Sequence, residues 1–255
     1  ILGDKSLAAI GACAAVYELL IGFALGIGNG LSIVIARAYG AGDKKLLKRS
    51  VAASLVIGLV VTMIIMIFSK IFLYPLLKVL HTPANIIEES YSYISTITIF
   101  VGVMFAYNLL AGLLRAIGNS LMPLVFLIIS SVINVILDLV FIGKFNMGIK
   151  GAAVATVIAQ GISAVLCLIY IVKKCKILIP DKNCFKLDRG LYGELVGQGL
   201  SMGFMMSIVS AGTIILQSAI NSLGYLIIAG HIATRKLNSF CMMPGATVGM
   251  ALATF

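Results

Sequence analysis

Charged residues are scarce in this 255-residue chain, at 11% of positions. That excludes an ordinary water-soluble domain, in which roughly a quarter of residues are charged. There are only two histidines, His81 and His231, far apart in sequence, and only nine acidic residues, without a cluster. A nucleophile-and-base pair, paired carboxylates or a histidine-rich metal centre therefore have no material to build from. Cys13, Cys167, Cys175, Cys184 and Cys241 include no pair at metal-ligand spacing, so they read as structural or incidental thiols. The glycines form no phosphate-binding loop. An enzyme is not expected, and neither is a cofactor.

What the chain has in abundance is apolar sequence: 61% of residues are hydrophobic and the mean hydropathy is +1.12. No soluble core could hide that much apolar surface, whereas a bilayer takes it up in spans of about 20 residues. Seven stretches qualify, near 7–36, 51–69, 91–114, 121–142, 151–172, 200–221 and 226–255. The expected fold class is an all-α polytopic membrane protein with about seven transmembrane helices. The chain opens at Ile1 without an initiator methionine and stops inside an apolar run at Phe255, as a piece of a longer protein would.

The net charge of +10 could suggest nucleic acid, but its placement argues for a lipid bilayer. Of nineteen Lys and Arg, five lie between Arg37 and Arg49, one is Arg115 and six lie between Lys173 and Arg189. Two spans separate each of these segments from the next, so all three share one side, which the excess of positive charge assigns to the cytoplasm.

Between the spans, Gly40-Ala41-Gly42-Asp43 closes the first apolar run, with Asp43 placed to cap the following basic segment as a helix. Lys70 to Glu89 reads as an outside connector, with Leu76, Leu77, Val79 and Leu80 suggesting an interfacial helix. Arg115 to Met122 reads as a tight cytoplasmic turn, with Pro123 tolerated near the start of the next span. Gly22, Gly26 and Gly30 recur every four residues, as in close helix packing. Tyr107, Asn108, Gln217 and Asn221 read as interhelical hydrogen-bonding groups. The methionines, among them Met202, Met205, Met206, Met242 and Met243, suit packing or lipid contact and could also form a pliable wall.

The charged stretch after the fifth span suggests a division into 1–175, a linker at 176–198, and 199–255. A shift of 221 residues aligns Leu2-Gly3 with Leu223-Gly224, Ala8 with Ala229, Ala12 with Ala233, Gly28 with Gly249 and Leu31 with Leu252. That is a weak internal repeat, with both copies in the same membrane orientation.

Asp138 is the most telling residue. It is the only acid in an apolar run from Ser120 to Gly143, and a carboxylate at bilayer depth costs roughly 3 kcal/mol even on lenient scales. Asn134 precedes it by one helical turn on the same face. Thr156, on the next span in the reverse direction, could reach a comparable depth, and Gln160 would extend the polar face. Three oxygen donors at Asn134, Asp138 and Thr156 suit a hard cation such as Na+, and the carboxylate could hold a proton instead. Alternatively, Lys144 lies six residues on, about 9 Å along a helix, and Asp138 simply reaches the outer interface. Glu18 either faces a cleft or pairs locally. His231 and Arg235 lie one turn apart in the last span, with Lys236 beside them. Arg235 could meet Glu18 across a gate, or extend with Lys236 to lipid phosphates.

Asn134-Val135-Ile136-Leu137-Asp138, followed by the run from Gly148 to Thr156, resembles the fifth and sixth helices of the multidrug and toxic compound extrusion (MATE) family. Gly40-Ala41-Gly42-Asp43, Arg115-Ala116-Ile117-Gly118-Asn119 and Ser222-Leu223-Gly224 resemble further signatures of that family. The resemblance implies helices two to eight of a twelve-helix, two-lobed transporter, with 1–175 an amino-terminal lobe lacking its first helix and 199–255 the start of the second lobe. It implies a cation or proton site at Asn134, Asp138 and Thr156. It also implies export of small amphipathic or cationic substrates in exchange for Na+ or H+, by a monomer in the cell membrane, of bacterial inner-membrane type. The absent first helix would supply a further acid. A lipid-linked oligosaccharide flippase of the wider superfamily is the alternative, for which only Arg235 and Lys236 offer cleft cations.

Overall fold

The computed structural model describes residues 4–79, 87–186 and 188–221, together with 234, 237–245, 247–249 and 252. The side chains of 4–15, 79, 214 and 216–221 lie outside that description. His81, His231, Arg235, Lys236 and the side chains of Gln217 and Asn221 therefore fall outside it, as does most of the seventh expected span.

All regular structure among the described residues is helical. In hydrocarbon no water can satisfy backbone N–H and C=O groups, and a helix satisfies them within each segment. Seven helices follow in order: α1 (Asp4–Gly40), α2 (Lys44–Val79), α3 (Ile87–Ile99), α4 (Val101–Ala116), α5 (Leu121–Asp138), α6 (Gly148–Lys174) and α7 (Arg189–Asn221). Five described helices are long and apolar enough to cross a membrane, and α3 with α4, bent by 50° where they meet, is apolar and long enough only as a pair. The chain is a multi-pass membrane protein: five of the first six expected spans fall on these five helices, and the span expected near 91–114 falls on the bent α3–α4 pair.

Two helices outrun the apolar segments that announced them. α2 does not give way to a connector at Lys70 but continues through Pro75 to Val79. Leu73 and Leu77, one turn apart, are 2% and 0% exposed in a cluster with Val16, Leu20, Ile87 and Ile94. Of the residues assigned to a lipid-hugging segment, Leu77 is instead buried against protein neighbours, with Leu76 packed beside it, while Leu80 and the side chain of Val79 lie outside the described residues. α7 begins at Arg189, ahead of its apolar run, because Asp188 caps it: Asp188 Oδ1 accepts from Gly190 N at 3.1 Å. At α2 the expected cap is present, Asp43 Oδ1 accepting from Lys45 N and Leu46 N, both at 2.9 Å.

The turns before α2 and α5 use glycine for its backbone freedom. Gly42 has φ +70° and Gly118 φ +82°, the left-handed region in which a Cβ is strained. Gly118 N and Asn119 N return to the carbonyls of Arg115 and Leu114, each at 2.9 Å, which satisfies the last turn of α4.

α1 sits centrally, touching α2, α3, α4 and α7, while α6 bridges α3 and α4 to α5. The largest cluster contains Ile21, Ile27, Leu31, Ile97, Phe105 and Leu195. A second occupies the basic end, around Ile35, Leu47, Leu114 and Leu178, and the third the opposite end of α2. Burying Leu178 fastens the segment after α6 beneath α2.

The glycine stripe of α1 does pack closely, and its partner is α7. A Cβ on Gly26 would come within 2.6 Å of Met202 O and 2.7 Å of Gly203 Cα, and one on Gly30 within 2.8 Å of Gly199 Cα. The two backbones are in direct contact, which only paired small residues permit.

Candidate cation site on α5 and α6

α5 and α6 run antiparallel and are stitched together by two hydroxyls. Ser130 Oγ donates to Ala159 O at 2.7 Å and Ser163 Oγ to Phe126 O at 3.1 Å. Both bonds define the same register. Extending it toward the far end of α5 brings Thr156 level with Asn134, within one residue, and Gln160 level with Ser130. Asp138 lies one turn beyond, opposite Gly151. The four residues singled out on these helices thus occupy about two turns of facing helix.

Their polar atoms are unusually short of partners. Asn134 Nδ2, Asp138 Oδ1 and Gln160 Oε1 are shielded from solvent, yet none has a hydrogen bond among the described residues. Most buried polar groups in native proteins have at least one partner, and leaving one unmade costs about 1–3 kcal/mol. Thr156 Oγ1 donates to Ala152 O at 2.9 Å, which leaves its lone pairs free to accept. The set offers one carboxylate, two amides that can each present an oxygen, and a hydroxyl. Hard oxygen donors with a single negative charge fit a monovalent cation such as Na+, and the carboxylate alone fits a proton. Among the described residues no group of three His, Cys, Asp or Glu could hold a transition metal.

Directly after Asp138 the helix widens into a π-helical segment, Leu139–Lys144. Phe145 N bonds Val140 O at 3.1 Å and Met147 N bonds Phe141 O at 3.0 Å. Gly151 makes room for this segment: a Cβ there would lie 3.0 Å from Met147 Cβ and 3.2 Å from Phe141 Cβ. Short π segments inside helices frequently mark functional positions. Asp138 therefore ends a regular helix at a point of altered backbone geometry, while Lys144 lies exposed at the far side of that segment.

The remaining sequence candidates are elsewhere. Glu18 is an exposed residue of α1 whose backbone carbonyl accepts from Ser210 Oγ of α7 at 3.3 Å, so it belongs to the α1–α7 contact and not to the α5–α6 set. Its proposed counterpart Arg235, and His231 beside it, lie outside the described residues. Tyr107 does make an interhelical bond, to Pro123 O at 3.4 Å, whereas Asn108 bonds Met104 O of its own helix at 2.8 Å.

Sequence reasoning missed Ser130 and Ser163, although a signal was present. Ser130 precedes Asn134 by four residues, as Asn134 precedes Asp138, so one stripe of α5 carries all three. It also missed three ion pairs at the basic end: Arg37 with Glu194, Lys48 with Asp181 at 2.9 Å and Arg49 with Asp188 at 2.9 Å. These join the ends of α1 and α2 to the 176–198 segment. The clue was that three of the nine acids fall among its cations.

A family model described as MatE matches residues 1–140. The probable multidrug resistance protein YoeA of Bacillus subtilis is 31% identical, the alignment covering 100% of this chain and 56% of that protein. YpnP of the same organism, also a probable multidrug resistance protein, is 28% identical over 99% of this chain and 56% of its own length. A solved inward-facing multidrug resistance MATE family transporter superposes with a TM-score of 0.85 at 25% identity, covering 98% of this chain and 57% of that one. The chain spans about half the length of the curated relatives it matches.

Proposed function

The chain belongs to the MatE family, and from that membership we propose that it works as part of a secondary antiporter. The transporter exports organic cations or other small amphipathic compounds, and the entry of Na+ or H+ through the site at Asn134, Asp138 and Thr156 drives it. Residues 1–175 serve as the amino-terminal lobe, 176–198 as the connection and 199–255 as the start of the second lobe.

The observation that carries this proposal is the set of shielded polar atoms on Asn134, Asp138 and Gln160 that no group among the described residues satisfies. A transporter needs a site that is stable when occupied and still accessible when vacated. A fully hydrogen-bonded carboxylate would have nothing to gain from a cation, whereas an orphaned one gains its missing partner on binding. For that gain to drive export, the ion must bind one lobe arrangement more tightly than the other, because a ligand shifts an equilibrium only by its differential affinity. The π segment beside Asp138 supplies a stretch of backbone whose hydrogen-bonding pattern can change with occupancy. Gln160, one turn from Thr156, extends the polar path along α6.

The deciding experiment compares Asp138→Asn with the parent protein in cells and in proteoliposomes. Expected is loss of drug export and of ion-coupled uptake, with normal membrane insertion and melting temperature. Export at parental rates would remove the site. Imposing a Na+ gradient and a proton gradient separately then identifies the coupling ion by which one energises uptake.

A further inference from the structure

A groove of about 480 Å³ lies between α2 and α3, away from the α5–α6 site. One wall is the α2 face formed by Met63, Met66, Ile67 and Lys70, spaced at i, i+3, i+4 and i+7. The opposing wall is the α3 face of Tyr91, Ser95, Thr98 and Ile99, and Ser69 completes the lining. Met63, Ile67 and Ile99 are 53%, 59% and 56% exposed, so the groove opens outward to the surface where acyl chains lie. The chain bends just below it, where α3 meets α4 at 50°.

Polarity is graded along the groove. Lys70 sits at the edge of the apolar run, on the side opposite the basic loops, and makes no ion pair among the described residues. Beside it Ser69 is 3% exposed and its hydroxyl has no hydrogen-bond partner among the described residues, whereas Ser95 and Thr98 donate to carbonyls of their own helix. From Lys70 the wall descends seven residues to Met63, roughly 10 Å of helix, with only apolar side chains on α2 beyond Ser69. Tyr74 and Tyr91, edge to face at 5.5 Å, mark the membrane interface where such rings concentrate. Of the nearby acids, Glu88 accepts from the Tyr74 hydroxyl at 3.2 Å, and Glu89 lies beside it in the first turn of α3. Lys78 stands over the Tyr74 ring at 5.0 Å, two turns above Lys70.

We propose that this groove holds one anionic phospholipid of the outer leaflet, its phosphate on Lys70 and Ser69 and an acyl chain along Met63, Met66, Ile67 and Ile99. A free anion would satisfy Lys70 but leave the apolar trough in contact with bulk lipid. A zwitterionic lipid would bring a second cation to Lys70. An anionic phospholipid matches both ends of the site at the depth where each belongs.

The test uses the complete protein in vesicles of phosphatidylcholine doped with phosphatidylglycerol carrying a diazirine on its acyl chain. Irradiation followed by peptide mass spectrometry is expected to label segments 63–70 and 95–99. Lys70→Glu should lower that labelling at least about fivefold, the factor that loss of one lysine alone removes toward an anionic lipid surface. Lys70→Arg should retain it, and Lys150→Glu on α6 should leave it unchanged. Equal labelling by a diazirine phosphatidylcholine, or equal labelling of the Lys70→Glu protein, would overturn the proposal. Cross-linking of the Met66→Cys protein to another protein segment instead of lipid would also overturn it.

Discussion

The α1–α7 contact and the α5–α6 pair are both antiparallel helix packings inside the same membrane, yet they are built on opposite terms. Along α1 and α7 the glycines at 26, 30, 199 and 203 bring backbone against backbone, with no room for a single added carbon. Along α5 and α6 the helices are held by serine hydroxyls and carry polar atoms without partners. The first is specified by shape, because lipid tails are as apolar as leucine and helices associate there through close packing. The second leaves hydrogen-bonding capacity unspent in a place where each missing bond costs free energy, and an arrangement of that kind persists when something else supplies the bond. Dense packing and unmet polarity therefore mark a structural seam and a candidate working site within one chain.

The comparison breaks most sharply by exchanging the two kinds of damage. Gly26→Leu should remove both folding and transport, because the obstructing atoms are backbone of α7 and cannot swing aside. The expected result is loss of monodisperse protein on size-exclusion chromatography, beyond the 1–3 kcal/mol typical of overpacking against side chains. A well-folded Gly26→Leu protein would mean that the seam opens readily.

Asp138→Asn should do the reverse, abolishing ion-coupled export while the melting temperature is retained or raised, since a costly buried charge is removed. A large fall in melting temperature would assign Asp138 to the scaffold.

Ser130→Ala combined with Ser163→Ala should sharpen the contrast at intermediate size. Each lost bond costs about 1 kcal/mol, and the register that aligns Thr156 with Asn134 loosens. Thermal stability should drop modestly while the apparent ion affinity falls further than that of a Gly212→Ala control, where nothing obstructs an added Cβ.

The smallest effect is expected at the basic end. Arg37→Ala should cost no more than about 1 kcal/mol, as exposed ion pairs do, and the loss should shrink with added salt. Asp43→Ala should cost about 1 kcal/mol through the α2 cap, and Asp43→Ser should restore most of it in the same melting assay.

Much of the fold was legible because hydrocarbon is a solvent that acts residue by residue. The first six spans, the capping aspartate and the turn at Gly118 depend on neighbours in sequence and could be read from them. The ends of α2 and α7 could not, since apolar runs report where lipid begins and not where the backbone stops bonding to itself. Leu73 and Leu77 continue α2 because α1 and α3 stand ready to bury them, and Asp188 starts α7 because a cap outweighs the polarity of the first turns. In the candidate site, Asn134 and Asp138 were legible from their spacing. The absence of partners for their buried atoms was not, because only packing decides which groups are shielded and what stands opposite them.

By itself the amino-acid sequence determined that this chain must live in a bilayer, where its apolar spans lie, and which few polar residues fall inside them. Only the tertiary structure decided that the glycines of α1 meet α7, that Ser130 and Ser163 set the offset of α6 along α5, and that acids in the 176–198 segment return to cations more than a hundred residues earlier. The division follows from range: transfer into lipid is a property of each segment alone, whereas register, close approach and hydrogen-bond satisfaction are properties of pairs that the linear order does not place together.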